Sequence, residues 1–215
     1  MKKTIVLCLI TIQSFAQVKN ISNANITDKN NYYLPKLGYT ISYNNAKGHA
    51  NWVGWTLQAS DIGVQFWGGV FFQDITLGAN FKRVSRSFYT NTKYDRGHLC
   101  NSQARSSNVT YNRETYNMTN AVPQTQKLNR GVWKKYEELC QLWALNGERL
   151  TIYAGGLGKI GTLSKQNVNI PQRYWKVIFG HGNVPLCLVF ENDNKTDKAM
   201  IVEKSFIEQK TGYQY

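Results

Sequence analysis

The feature that most constrains the fold is one stretch of helical periodicity in a chain otherwise divided into short β-forming runs. From about Lys127 to Leu145, the residues Leu128, Val132, Tyr136, Leu139 or Cys140, and Trp143 recur at steps of three and four. That spacing lines apolar side chains along one helical face. Asn146-Gly147 then supplies a C-terminal stop. The runs Tyr39 to Tyr43, Trp52 to Leu57, Leu150 to Ala154, Tyr174 to Phe179 and Pro185 to Phe190 are rich in β-branched and aromatic residues and read as strands. Gly63 to Ile75, aromatic and glycine-rich, reads as a hairpin, and Tyr116 to Pro123 as a short strand stopped by proline. A short helix is expected around Val202 to Gln209. No internal repeat and no linker divides the chain, so the expectation is one α+β domain with a central sheet and few helices.

The first residues, MKKTIVLCLITIQSFAQV, have the three parts of a secretory signal: basic Lys2 and Lys3, an apolar run from Thr4 to Ile12, and small residues at Ser14 and Ala16. The run is too short to span a bilayer, which takes about 20 residues. Cleavage is expected after Ala16, giving a secreted or periplasmic protein without stable membrane insertion. Residues 17–36 read as an extended Asn-rich leader and residues 37–215 as the functional domain. The chain carries 26 Lys and Arg against 13 Asp and Glu, a net charge of +13 that falls to +11 without Lys2 and Lys3. Such an excess points to a polyanionic partner: nucleic acid, an anionic membrane or an acidic polysaccharide. Cys100, Cys140 and Cys187 lie in no zinc-binding spacing. Buried free thiols suit all three, and a Cys100–Cys140 disulfide is left open without being expected.

Three histidines occur, and His98 stands out by context. Asp95 and Arg96 precede it closely, and Gly97 allows a tight backbone approach. A neighbouring arginine disfavours a charged imidazole, so His98 is expected to be neutral and basic near pH 7, as a general base must be. His49 and His181 read as structural or surface residues, and Trp133 as core. Gly131, inside the helical stretch, costs about 1 kcal/mol against alanine and so has a packing or ligand reason. Asn129 offers a neutral oxygen suited to a hard cation that keeps most of its water. On a straight helix Glu137 lies about 80° around from Asn129 and roughly 12 Å along, too far to share its inner metal shell.

Taken together, these segments resemble the DNA/RNA non-specific endonucleases, the ββα-metal nucleases marked by Asp-Arg-Gly-His. Tyr94-Asp95-Arg96-Gly97-His98-Leu99 matches that motif, and Thr119-Asn120-Ala121-Val122-Pro123-Gln124 matches the Thr-Asn-x-x-Pro-Gln segment. Leu128-Asn129-Arg130-Gly131-Val132-Trp133 with Glu137 matches the metal-binding helix. Ile170 to Val177 and Ile207 to Gly212 match downstream segments, so the likeness runs from about residue 40 to 213. It implies a mostly antiparallel sheet with the metal helix packed beside the histidine strand. It implies His98 as the base that deprotonates water, Asn129 as the direct ligand of one Mg²⁺ (Mn²⁺ being the other candidate), and Glu137 acting through the metal's water. Arg96 and a second arginine before the motif would hold phosphate. Arg86 fits that role better than Arg83. Asp95 and Asn120 would support the site.

Under this resemblance the partners are DNA and RNA as substrates, with 5′-phosphate and 3′-hydroxyl products. The cationic residues Lys127 and Arg130 beside the metal helix would neutralise backbone phosphates. Two rivals differ in class. One is a nucleic-acid-binding protein on the same fold without turnover; the other is a cationic polysaccharide binder. Intact His98, Arg96, Asn129 and Glu137 argue against both. Nothing in the pattern fixes an oligomeric state.

Overall fold

A computed structural model describes residues 24–163 and 167–215. Its strands are β1 (Tyr32–Pro35), β2 (Thr40–Asn44), β3 (His49–Leu57), β4 (Tyr94–His98), β5 (Ala121–Thr125), β6 (Leu150–Leu157), β7 (Gly161–Leu163), β8 (Val168–Ile170), β9 (Arg173–Phe179), β10 (Leu186–Glu191) and β11 (Met200–Ile201). Its α-helices are α1 (Val109–Glu114), α2 (Gln126–Leu128), α3 (Lys134–Leu145) and α4 (Lys204–Thr211). The expected signal segment, residues 1–16, lies outside the described residues. So does the start of the leader, but its residues Tyr32–Pro35 form β1 and bury Leu34 in the core.

Seven strands make one antiparallel sheet in the order β1-β2-β3-β6-β9-β10-β11. Side chains alternate across a strand, and β9 shows how this builds two cores. Tyr174 and Ile178 join Leu128, Val132, Trp133 and Cys140 on one face, while Trp175 and Val177 join Ile207 of α4 and Tyr215 on the other. The sheet therefore carries the kinked helix of residues 126–145 on one side and the C-terminal helix on the other. Strands β4 and β5 form a separate antiparallel ladder, from Tyr94↔Thr125 to His98↔Ala121, and β5 runs straight into α2. This β-β-α unit holds the candidate site.

Three expectations need correction. Gly63 to Ile75 forms no hairpin: it is irregular chain whose amides bond elsewhere, Gln65 N–H to the Ser106 carbonyl and Trp67 N–H to Asn112 Oδ1. With those donors taken and Gly68 in the left-handed region at φ 62°, no ladder can form. Pro123 does not stop a strand but lies within β5. Its carbonyl faces away from β4 and accepts from Tyr174 Oη at 2.7 Å and Asn192 Nδ2 at 3.0 Å. The missing N–H is thus on the side where the ladder needs no donor. The long helix is also not continuous: a π turn, Asn129–Trp133, joins α2 to α3, with Gly131 at φ −108°, ψ −111°. The thiols of Cys100, Cys140 and Cys187 are free and buried, so no Cys100–Cys140 bridge exists.

His49 is structural, as expected. Its Nδ1 bonds the Ala50 carbonyl at 2.8 Å, and burial drops its pKa from 6.5 to about 4. The unfolded chain takes this proton near the ordinary value and the folded chain does not. Stability is therefore complete above pH 6.5 and is lost as pH falls from there toward about 4, by on the order of 3 kcal/mol. His49→Asn keeps a donor but has no proton to gain. Urea denaturation across that window is expected to show a shallower acid-side loss of stability in this variant than in wild type.

Candidate active site

The site is built from three short pieces of chain that meet because β4, β5 and the kinked helix are pinned together. On β4, Asp95 points at the helix. Its Oδ1 and Oδ2 accept from Arg130 Nη2 at 2.9 Å and Nε at 2.8 Å, and Oδ2 also accepts from Asn129 Nδ2 at 3.0 Å. These donors, together with nearby positive charge, outweigh burial and hold the Asp95 carboxyl below its usual range. The arrangement has a consequence for Asn129. With its amide nitrogen committed to Asp95, its side-chain oxygen has a fixed direction and no hydrogen-bond partner among the described residues.

His98 ends β4, and Arg96 shares its face two residues earlier. The Phe71 ring lies 4.7 Å from the imidazole and Tyr116 meets it edge-on at 5.0 Å, while the Arg96 guanidinium sits 5.8 Å from Phe71. His98 Nε2 is enclosed without a partner. Burial lowers the pKa of His98 from 6.5 to about 4. The expectation of a neutral imidazole stands, but its cause is corrected: desolvation does this, not the charge of Arg96. The Phe71 ring lies against both side chains, and the Nε2 edge of the imidazole is closed to water.

The segment after His98 is fixed by Asn120. Its Nδ2 donates to the carbonyls of Cys100 and Thr115, both at 2.8 Å, and its Oδ1 accepts from Cys100 N–H at 2.9 Å. Asn120 is fully buried. Trp133 closes the other side. Its indole N–H donates to the His98 carbonyl at 3.1 Å and also serves the Glu137 carboxylate. Glu137 Oε1 is enclosed without a partner, and burial pushes this carboxyl up to about 7 against the opposing pull of Lys176. A π turn holds one residue more than an α turn. An extra residue in the turn shifts the offset between Asn129 and Glu137 away from the about 80° of a straight helix.

Lys176 is a residue that sequence reasoning missed. It lies 1% exposed on β9, between Tyr174 and Ile178 on the site-facing side, with Nζ 3.6 Å from the Trp133 ring centroid. Inside a run of β-formers nothing distinguished it from an edge lysine. Asn192 was also missed: it bonds the Thr125 amide and the Pro123 and Pro171 carbonyls, locking β5 to the main sheet. Arg86 is exposed on a 3-10 turn, Arg86–Tyr89, and makes no hydrogen bond or ion pair among the described residues. Arg83 is occupied with the Leu77 carbonyl. Lys127 donates to the Lys195 carbonyl at the rim.

No group of three or more His, Cys, Asp or Glu side chains fit to hold a metal occurs among the described residues. The donor set present is of another kind: an oriented amide oxygen on Asn129 and an orphaned carboxylate oxygen on Glu137. That chemistry fits a hard divalent cation that retains water. No helix among the described residues is long and apolar enough to cross a membrane.

Comparison with known proteins defines the class. The family model for the DNA/RNA non-specific endonucleases matches residues 17–215, and the chain belongs to that family. A protein named "Nuclease" from Nostoc sp. (strain PCC 7120 / SAG 25.82 / UTEX 2576) is 40% identical over 148 residues, 69% of this chain. That match spans 54% of the relative's own length. Among solved structures, a chain of the EndoG/EndoGI complex superposes with a TM-score of 0.77 at 21% identity, covering 85% of this chain and 84% of that one. The likeness extends the ββα-metal nuclease fold to this protein.

Asn120→Ala removes three buried hydrogen bonds and leaves their backbone partners unsatisfied. It is expected to cost about 2–4 kcal/mol of unfolding free energy, read as a lower urea midpoint with an unchanged slope.

Proposed function

We propose that the protein is a secreted, divalent-metal-dependent endonuclease that hydrolyses phosphodiester bonds of DNA and RNA with little sequence preference. The observation that carries this reading is the pairing on β4 of a desolvated, neutral His98 with an Asp95 that clamps Asn129. A base and an oriented oxygen ligand on neighbouring elements suit in-line attack of water on a phosphorus. The family membership supports it.

In this reading His98 Nδ1 accepts the proton of the attacking water, because Nε2 is enclosed. The new oxygen–phosphorus bond forms as the bond to the 3′-oxygen breaks, and that oxygen leaves with a proton from solvent. Mg²⁺ or Mn²⁺, held by Asn129 with Glu137 acting on its water, would neutralise charge developing on the phosphate and leaving oxygen. Arg96, exposed beside His98, holds the phosphate. Arg86, exposed and uncommitted, is the second phosphate-binding cation. Arg130 and Lys127 meet neighbouring phosphates along the rim, giving backbone contact without base reading. Residues 1–16 are the signal removed on export.

The test is cleavage of plasmid DNA and structured RNA with Mg²⁺ and with EDTA. Wild type is expected to degrade both only with metal, and His98→Ala to lose nearly all turnover while its nucleic-acid affinity stays within a few fold. Wild-type rates in His98→Ala would remove this residue from the reaction. Asp95→Ala frees the Asn129 amide to turn, and Mn²⁺ affinity, followed by electron paramagnetic resonance, is expected to fall tenfold or more. Unchanged Mn²⁺ binding would place the metal elsewhere.

A further inference from the structure

The stretch that forms no hairpin carries apolar surface that the reaction does not use. Phe66 is 46% exposed, Trp67 40% and Val64 82%. This surface is held in place rather than loose. Gln65 N–H bonds the Ser106 carbonyl at 2.7 Å, Trp67 N–H bonds Asn112 Oδ1 at 2.8 Å, and Phe72 exchanges backbone hydrogen bonds with Tyr116 and Met118. The Trp67 ring folds over Gly69, where a Cβ would sit 1.9 Å from the indole nitrogen. Only glycine permits that placement. The exposed Arg113 of α1 has its guanidinium 5.0 Å from the Trp67 ring and 5.0 Å from the Phe72 ring. One residue further back, Phe71 packs on His98.

The result is an aromatic and cationic cluster, Trp67–Arg113–Phe72, joined through the backbone of Phe72 to Phe71, which packs on the imidazole. We propose that this cluster is a binding subsite for unpaired nucleotides near the scissile phosphate, with Trp67 stacking on a base and Arg113 holding a phosphate. The inference rests on the nuclease reading and adds a substrate preference to it. A paired base hides both its faces in the helical stack, so an exposed ring has nothing to gain from intact duplex. An unpaired base offers its whole face, and stacking on aromatic side chains is tolerant of sequence. The occupant is set by charge and by continuity. The cluster carries Arg113, the net charge is +13, and the next residue along the chain, Phe71, lies against both Arg96 and the candidate catalytic His98.

The experiment measures affinity in the full-length His98→Ala background, where no cleavage disturbs the equilibrium. The probes are a fluorescein-labelled single-stranded DNA oligonucleotide and the same sequence as a blunt duplex. Adding Trp67→Ala is expected to weaken single-strand binding about tenfold, the scale of one base–aromatic stack, and to lower the preference for single strand over duplex by a similar factor. Trp67→Phe is expected to restore most of the loss, because a ring is retained. Arg113→Ala is expected to weaken both probes and to flatten the salt dependence, as loss of a phosphate contact does. Equal losses on both probes with Trp67→Ala, or none, would overturn the subsite while wild-type cleavage left the nuclease reading intact. A change in sedimentation on Trp67→Ala would assign the cluster to contact between copies of the chain and overturn the subsite also. If wild type neither binds nor cuts any nucleic acid, the nuclease reading fails and takes the subsite with it.

Discussion

Trp133 is the side chain on which the candidate site depends. It is fully buried and links the histidine strand to the main sheet. Its N–H holds the carbonyl of His98, its ring carries the ammonium of Lys176, and its edges meet Tyr174 at 5.8 Å and Phe190 at 5.0 Å. The π turn at Asn129–Trp133 brings Asn129 to Asp95 and packs Trp133 into the closed core, with Gly131 taking the non-helical backbone between them.

That enclosure sets the electrostatics. Water is kept from one edge of His98, so its imidazole stays neutral far below the usual range. The same enclosure raises the Glu137 carboxyl and lowers the Lys176 ammonium, each partly countered by the charge of the other. A buried lysine resting on an indole is a cation–π contact in a desolvated setting, where such contacts are strongest. Lys176 lies behind the helix, on the strand β9 that packs against Trp133. The basic residues in front, Arg96, Arg86, Arg130 and Lys127, are exposed. The cations around the candidate site are thus divided: Arg96, Arg86, Arg130 and Lys127 are solvated, and Lys176 is buried behind them.

Local patterns made much of this legible. The helical period from Leu128 to Trp143 located α3 and the turn before it, and β-former density located β2, β3, β6, β9 and β10. Asp95, His98 and Asn129 were recognisable because they are close in sequence to the motifs that carry them. What stayed hidden was nonlocal. Lys176 and Asn192 act across strands, and neither has a neighbour in sequence that betrays its partner. The π turn left one trace, a glycine where a helix should avoid one. Gly63 to Ile75 looked like a hairpin because aromatics and glycines suit turns and strands alike; its hydrogen bonds are in fact claimed by α1 and its flanks. Arg96 was credited with the neutrality of His98, since burial is a property of the fold and not of a tetrapeptide.

The central claim is that desolvation, created by the packing around β4, keeps His98 neutral and so available as a base. It is tested most directly by an NMR titration of the His98 ring in the metal-free protein, assigned with the help of His98→Ala. The account predicts an imidazole that stays neutral through the physiological range and takes its proton only near pH 4. Protonation at or above the ordinary 6.5 would mean that the ring is open to water, and would contradict the account at its foundation.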